Sequence, residues 1–534
     1  GRIENVYYVE KGSPSISNTV NGSNFVGGLV GIISGESLEH GIITNSSIAS
    51  FNIVATVGGS YLGQGSDYTG GAGGIVGSIG NYGSVQGKNG GYTVKGVSVV
   101  NGSSMGALGI GAGGIAGTVQ ASVSDTGLVA IDNVSAIDTR LASTYNKIAI
   151  GGIVGAVGAN RTISNVSFTL SDSDSEVRSY SAPSGFDAPT WDENGNVRNY
   201  GGGGIAGYNN GTISGASVTT TGNYTLTLTG SMVGGLVGVN FGTVENATVK
   251  ARLYTSRQKG TAYEGGTYGG MIGFNAGYLV GSGISGVSTA TNDYNRTTAA
   301  YEIVTADNRE YVPTSGSNGL MHGDAGADTA TIYAGGAVGY NIGTVDSVSV
   351  NAKLMVNRRS NDTLTSESYL AAVCGYSSNS NITSISGTAY IKFFHYLWVD
   401  QASDVNLPMY VYIGESSGNR KGATNVYVEA SAEYVGGGTR YDPASIEAGF
   451  TWGYEGTNYL SGTAHVYFYD TDGYTSSSYA PDWNVSGTTE SASSSSKVYA
   501  ADCQKTGGDF QTLWKDAWNY QGYLRYVNVA QGKY

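Results

Sequence analysis

Few side chains stand where catalysis would need them. The four histidines occur in Glu39-His40-Gly41, Met321-His322-Gly323, Phe394-His395-Tyr396 and Ala464-His465-Val466. None makes the His-Glu-x-x-His spacing that sets two imidazoles on one helix face around zinc. Matches to Gly-x-Ser-x-Gly arise from glycine abundance, without the strand-to-helix turn that exposes a nucleophilic serine. Carboxylates cluster in Asp172-Ser173-Asp174-Ser175-Glu176, Asp192-Glu193-Asn194-Gly195-Asn196 and Asp470-Thr471-Asp472-Gly473. These offer hard oxygen donors to calcium, yet none completes the loop that ends on a bidentate glutamate, and solvated turns account for them. Hydrolysis of a glycosidic bond needs two carboxyl groups converging ~5–9.5 Å apart. Here Asp and Glu are scattered, densest between Ser171 and Asn199. Cys374 and Cys503 are expected to be unpaired thiols, too few for a disulfide framework. No residue is therefore assigned a catalytic, cofactor-binding or metal-binding role. A non-enzyme without cofactor is expected, calcium being the one weakly supported ligand.

Charge narrows the partners. The net charge is −13, and the adjacent basic pairs are Arg358-Arg359 and Arg420-Lys421. Phosphate and sulfate polymers require clustered Lys and Arg, which argues against nucleic acid, heparin and anionic membranes. No window approaches the ~18 apolar residues of a membrane-crossing helix, so no membrane insertion is expected within this chain. With 40 Tyr and 13% charged residues, the surface suits a glycan or a protein: aromatic faces stack on sugars and amides bond hydroxyls, although tyrosines also pack coil edges.

The elements that would carry such a surface are repeated. Gly-Gly-Φ-Φ-Gly, with Φ apolar, recurs as Gly27-Gly28-Leu29-Val30-Gly31, Gly73-Gly74-Ile75-Val76-Gly77, Gly113-Gly114-Ile115-Ala116-Gly117, Gly151-Gly152-Ile153-Val154-Gly155, Gly203-Gly204-Ile205-Ala206-Gly207, Gly234-Gly235-Leu236-Val237-Gly238, Gly269-Gly270-Met271-Ile272-Gly273 and Gly335-Gly336-Ala337-Val338-Gly339. The best copies continue Asn-x-Gly-x-Φ, as in Asn209-Asn210-Gly211-Thr212-Ile213 and Asn240-Phe241-Gly242-Thr243-Val244. Then comes Φ-x-Asn and a short alternating run, as in Val244-Glu245-Asn246-Ala247-Thr248-Val249. Degenerate copies at Ala371-Ala372-Val373-Cys374-Gly375 and Tyr410-Val411-Tyr412-Ile413-Gly414 carry the array past residue 400. A short obligatory unit with uneven insertions predicts a solenoid whose coils bulge into loops.

Residue types fit that reading. Alternating apolar and hydroxyl residues predict half-buried strands, and no helix tolerates 86 glycines. Gly and Asn are expected at corners with positive φ. Stacked coils place equivalents ~4.8 Å apart, predicting an amide ladder of Asn209, Asn240, Asn275 and Asn341 and an aliphatic column of Ile75, Ile115, Ile153, Ile205 and Leu236. The Asn-x-Ser/Thr sequons at Asn45, Asn133, Asn165 and Asn246 follow from the repeat itself, so a backbone role explains them without glycosylation.

These motifs resemble the GLUG-motif repeat, a glycine-rich unit of bacterial surface proteins and adhesins and of non-catalytic parts of some immunoglobulin A peptidases. The resemblance covers roughly residues 1–415. It implies an extracellular, bacterial-surface, adhesive or structural region and carries no catalytic residues with it.

The expected fold is all-β: a parallel β-solenoid (β-helix), right-handed by the preference of parallel crossovers, with loop insertions. Residues 1–415 form the repeats, 416–474 an aromatic strand continuation, and 475–534 a Ser-rich linker and cap. In the last segment Phe510, Leu513, Trp514 and Trp518 fall at helical spacing and would cover the open end of the stack. Gly1–Tyr8 aligns with Gly242–Val249, so the chain opens in mid-repeat, as a piece of a longer precursor would. Three functions fit: an adhesive stalk, a self-assembling filament or sheath subunit joined head-to-tail, and, ranked last, a polysaccharide-active β-helix enzyme.

Overall fold

The computed structural model describes residues 1–8, 19–37, 41–55, most of 70–284, 302–305, 332–360 and strand segments between 368 and 461. Among the described residues every regular element is a strand and every pairing is parallel. The chain is a parallel β-solenoid, as the repeats imply. It divides into two units, the first holding described residues up to 253 with Met271–Ser282, the second holding described residues 254–270 and those from Gly283 onward.

In the first unit, one coil illustrates the path. Gly70–Gly73 runs into a sharp corner, Val76–Ile79 leaves it, and a turn leads to the short strands Ser84–Gln86, Val94–Lys95 and Ser98–Asn101. The corner strands form two sheets, and the three short strands join their equivalents in a third. In the second sheet Val76–Ile79 pairs with Ala116–Val119, which pairs with Val154–Val157, Ala206–Asn209, Val237–Asn240 and Ile272–Asn275 in turn. Five residues of the expected aliphatic column are all buried, and their backbones are bonded in series: Ile75 N donates to Ile115 O, Ile115 N to Ile153 O, Ile153 N to Ile205 O and Ile205 N to Leu236 O. Each carbonyl also accepts the next N–H, as Ile115 O does from Val76 at 3.0 Å. The corner is thereby held by two bonds per coil at one atom.

The glycines of the corner work differently from the sequence expectation. None of the motif glycines lies in the left-handed region. A Cβ on Gly74 would strike the carbonyl oxygen of Gly114, one on Gly114 that of Gly152, one on Gly152 that of Gly204, and one on Gly204 that of Gly235. The third motif glycine has the same restriction against the other strand of the corner, since a Cβ on Gly155 would press on Gly111 and Ala112 backbone. Close approach of backbones, not dihedral freedom, requires glycine here.

Positive φ recurs at the kinks of the third sheet. Asn5, Asn45, Asn133, Asn165 and Asn246 have φ between 46° and 57°, and Gly215 and Gly281 take equivalent places with φ of 65° and 56°. Asparagine tolerates this conformation because its short amide compensates locally. The backbone role expected for these asparagines is thus found.

The second unit repeats the plan. Gly266–Gly269 pairs with Ile332–Gly335, and Ser368–Ala371, Met409–Tyr410 and Phe450–Thr451 extend that sheet. Cys374 pairs with Val338 and then with Ile413, and is fully buried at that aliphatic place. Tyr340 and Tyr376 stack at 4.3 Å between ring centroids, with Tyr333 edge-on to both at 5.2 Å. Here short strands merge into longer ones, notably Asn381–Leu397, paired with Ser349–Ser360 on one side and Ala423–Gly437 on the other. The Ser-rich linker and cap expected at 475–534 lie outside the described residues.

Candidate functional site

Two interior devices tie the first unit together. Asn209 Nδ2 donates to Asn240 Oδ1 at 2.8 Å, and Asn240 Nδ2 donates to Asn275 Oδ1 at 2.8 Å, all three amides being fully buried. Two ladder members also serve their own turns: Asn209 Oδ1 accepts the Gly211 N–H at 3.1 Å, and Asn240 Nδ2 donates to Gly242 O at 3.3 Å. In the second unit Asn341 Oδ1 takes the Gly343 N–H in the same way. Preceding coils have Val157 and Val119 at the ladder position and lack this amide.

There Arg161 supplies the donor instead. It is 1% exposed, and its guanidinium reaches past one coil to donate to Gly80 O at 2.9 Å and Gly83 O at 2.6 Å. Its Nε has no partner among the described residues. Burial pulls the guanidinium down to about 10, because a charge taken out of water disfavours its own ionised form. Asp138, also buried, sits at a left-handed kink. Burial raises its carboxyl, but the Ser171 N–H, the Asp172 side chain and N–H and the Ser171 hydroxyl outweigh that and hold it below the ordinary range.

Outside, the third sheet presents hydroxyls in files. Thr162 is the register partner of Thr212, Thr212 of Thr243, and Thr243 of Tyr278. A parallel file beyond the kink runs Ser135, Ser167, Ser217, Thr248. Alternation explains both: Ile163, Ile213, Val244 and Leu279 turn inward and are buried, so their neighbours turn outward. Tyr278 is 55% exposed. Acidic residues flank the first file: Asp132 accepts from the Ser164 hydroxyl at 2.7 Å and the Asn165 amide at 3.0 Å, and Glu245 lies opposite Val280.

His40, His322, His465, Cys503 and the clusters at 192–196 and 470–473 lie outside the described residues, and His395 is in strand register with Arg358 and Gly436. The Cys374 thiol is buried and raised by desolvation. Among the described residues no group of three or more His, Cys, Asp or Glu is placed to hold a metal ion. Arg161, Asp138 and the Thr file were missed by residue chemistry alone, although Thr212, Thr243 and Thr344 recur after Asn-x-Gly and could have marked the file. No protein-family model, curated protein or solved structure matches this chain.

Proposed function

We propose that this chain is a non-catalytic structural and adhesive repeat region of a bacterial surface protein, acting outside the cell. The observation that carries this reading is the seriality of the contacts in the first unit: each Gly-Gly-Φ corner bonds to the next coil's corner, and the buried amides bond in sequence. Such a stack gains length without a closed core, which suits a scaffold that holds binding faces away from an anchor. The resemblance to GLUG-type repeats supports the surface location. Antibody labelling of intact and permeabilised cells that express the native protein tests it. Labelling of intact cells is expected, and labelling only after permeabilisation would remove the reading.

A second reading, head-to-tail assembly, draws on the first coil. Val6 is 38%, Tyr7 47%, Tyr8 42% and Ile32 47% exposed, whereas the next coil's equivalents Ser46, Ser47, Ile48 and Ser78 are buried. Open strand edges with apolar side chains invite another strand. Either a further coil of a longer polypeptide or another copy would satisfy this edge. Imaging of native particles separates the two: regular polymers favour assembly, single rods a stalk.

A further inference from the structure

We propose that the file Thr162, Thr212, Thr243 and Tyr278 is a docking strip for an uncharged polysaccharide laid along the stacking axis. This deepens the adhesive reading by naming the ligand class and the face. Three observations carry it. The four residues are successive register partners, so equivalent groups recur every ~4.8 Å, a spacing comparable to the length of one sugar unit in an extended glycan. Their hydroxyls form no hydrogen bond with another described residue, and a hydroxyl both donates and accepts, as sugar hydroxyls do. Tyr278 adds a large exposed ring to the file, the kind of amphipathic platform on which the C–H face of a pyranose stacks while the phenol stays wet.

Charge selects among glycans. The file itself is uncharged, and Glu245 stands beside Thr243 on a chain of net charge −13, so acidic polysaccharides are repelled. A protein partner would need an apolar centre to bury, and this face has hydroxyls there. Ser217 and Thr248, half-buried and exposed beyond the kink at Gly215 and Asn246, supply a second row for a wider or branched chain.

The experiment uses the intact chain. Co-sedimentation with cellulose, chitin, starch granules and insoluble mannan is run beside electrophoresis through gels containing a neutral glucan, heparin or polygalacturonate. Variants are Tyr278→Ala, Tyr278→Phe, Thr212→Val and Thr243→Val, each checked for an unchanged melting transition. Retention by at least one neutral polysaccharide is expected, weakened up to about tenfold by Tyr278→Ala and severalfold by each Thr→Val, and kept by Tyr278→Phe. Failure of the wild type to bind every neutral polysaccharide, equal binding by all variants, or preference for the acidic polymers would overturn the proposal. Shaping of ice crystals without glycan retention would assign the hydroxyl lattice to ordered water and overturn it too. Cell labelling is independent of these results: a chain that binds neutral glycan but is found inside cells keeps the docking strip and loses the surface reading.

Discussion

Arg161 donates to Gly83 O at 2.6 Å, and in register Gly83 holds the place that Gly211 holds three coils later. At Gly211 the interior turn is served by the Asn209 amide of the same coil. One structural requirement, a donor for an inward-facing turn carbonyl, thus has two solutions: a neutral amide that repeats, and one buried cation that reaches across coils. Buried backbone acceptors must be paired, which is why a charge is tolerated here with no carboxylate partner among the described residues.

Arg161→Ala is expected to destabilise the chain by roughly 2–4 kcal/mol, because Gly83 O loses its donor and a large buried side chain leaves a void. Lys at this position, a single point donor on a flexible stem, cannot replace the fork that serves both Gly80 and Gly83. Chemical denaturation of both variants checks this, and wild-type stability in Arg161→Lys would show that one bond suffices.

Asn240→Leu removes the middle of the ladder. Asn209 Nδ2 loses its 2.8 Å acceptor and Asn275 Oδ1 its donor, both in full burial. A loss of roughly 2–4 kcal/mol is expected, since each stranded buried amide group costs about 1–3 kcal/mol. Thermal melting measures it, with Thr248→Ala on the outer face as the near-neutral comparison.

Gly204→Ala tests the corner. A Cβ there meets Gly235 O and the Val218 side chain, whereas one on Gly91 meets only Lys88 Cδ at 3.6 Å. Neither glycine has positive φ, so the comparison isolates close approach from dihedral strain. A cost of about 1–3 kcal/mol or more is expected for Gly204→Ala against little change for Gly91→Ala. Equal melting temperatures would reject the glycine column.

Acid should find Asp138. Its carboxyl is held below the ordinary value of 3.8 in the folded chain. The stabilisation is therefore fully present above that value and is lost as pH falls through the lower folded value. Asp138→Asn should flatten the fall of stability below about pH 4. An unchanged acid limb in a pH series of denaturation midpoints would show that Asp138 does not contribute.

Sequence by itself determined the periodic part of this protein. Residues that share a motif position must stack when strands pair parallel and in register, so the column of Ile75, Ile115, Ile153, Ile205 and Leu236 and the ladder of Asn209, Asn240 and Asn275 were legible from spacing. The register of the first residues was legible too: Arg2 pairs with Ile42 and Asn5 shares the kink of Asn45, as the alignment of Gly1–Tyr8 implied. Tertiary structure decided what depends on distance between backbones and on reach across coils. Glycine in a string is ambiguous between free φ and absent Cβ, and only the packed corner shows that Gly74, Gly114 and Gly204 need the second while Gly215 and Gly281 need the first. Arg161 reads in the string as an ordinary surface cation after a turn. Its burial follows from the lack of an amide at Ile79, Val119 and Val157, which leaves inward carbonyls that a long side chain from another coil can meet. The outer file of Thr162, Thr212, Thr243 and Tyr278 likewise exists only once strands unevenly spaced in the chain are brought into register.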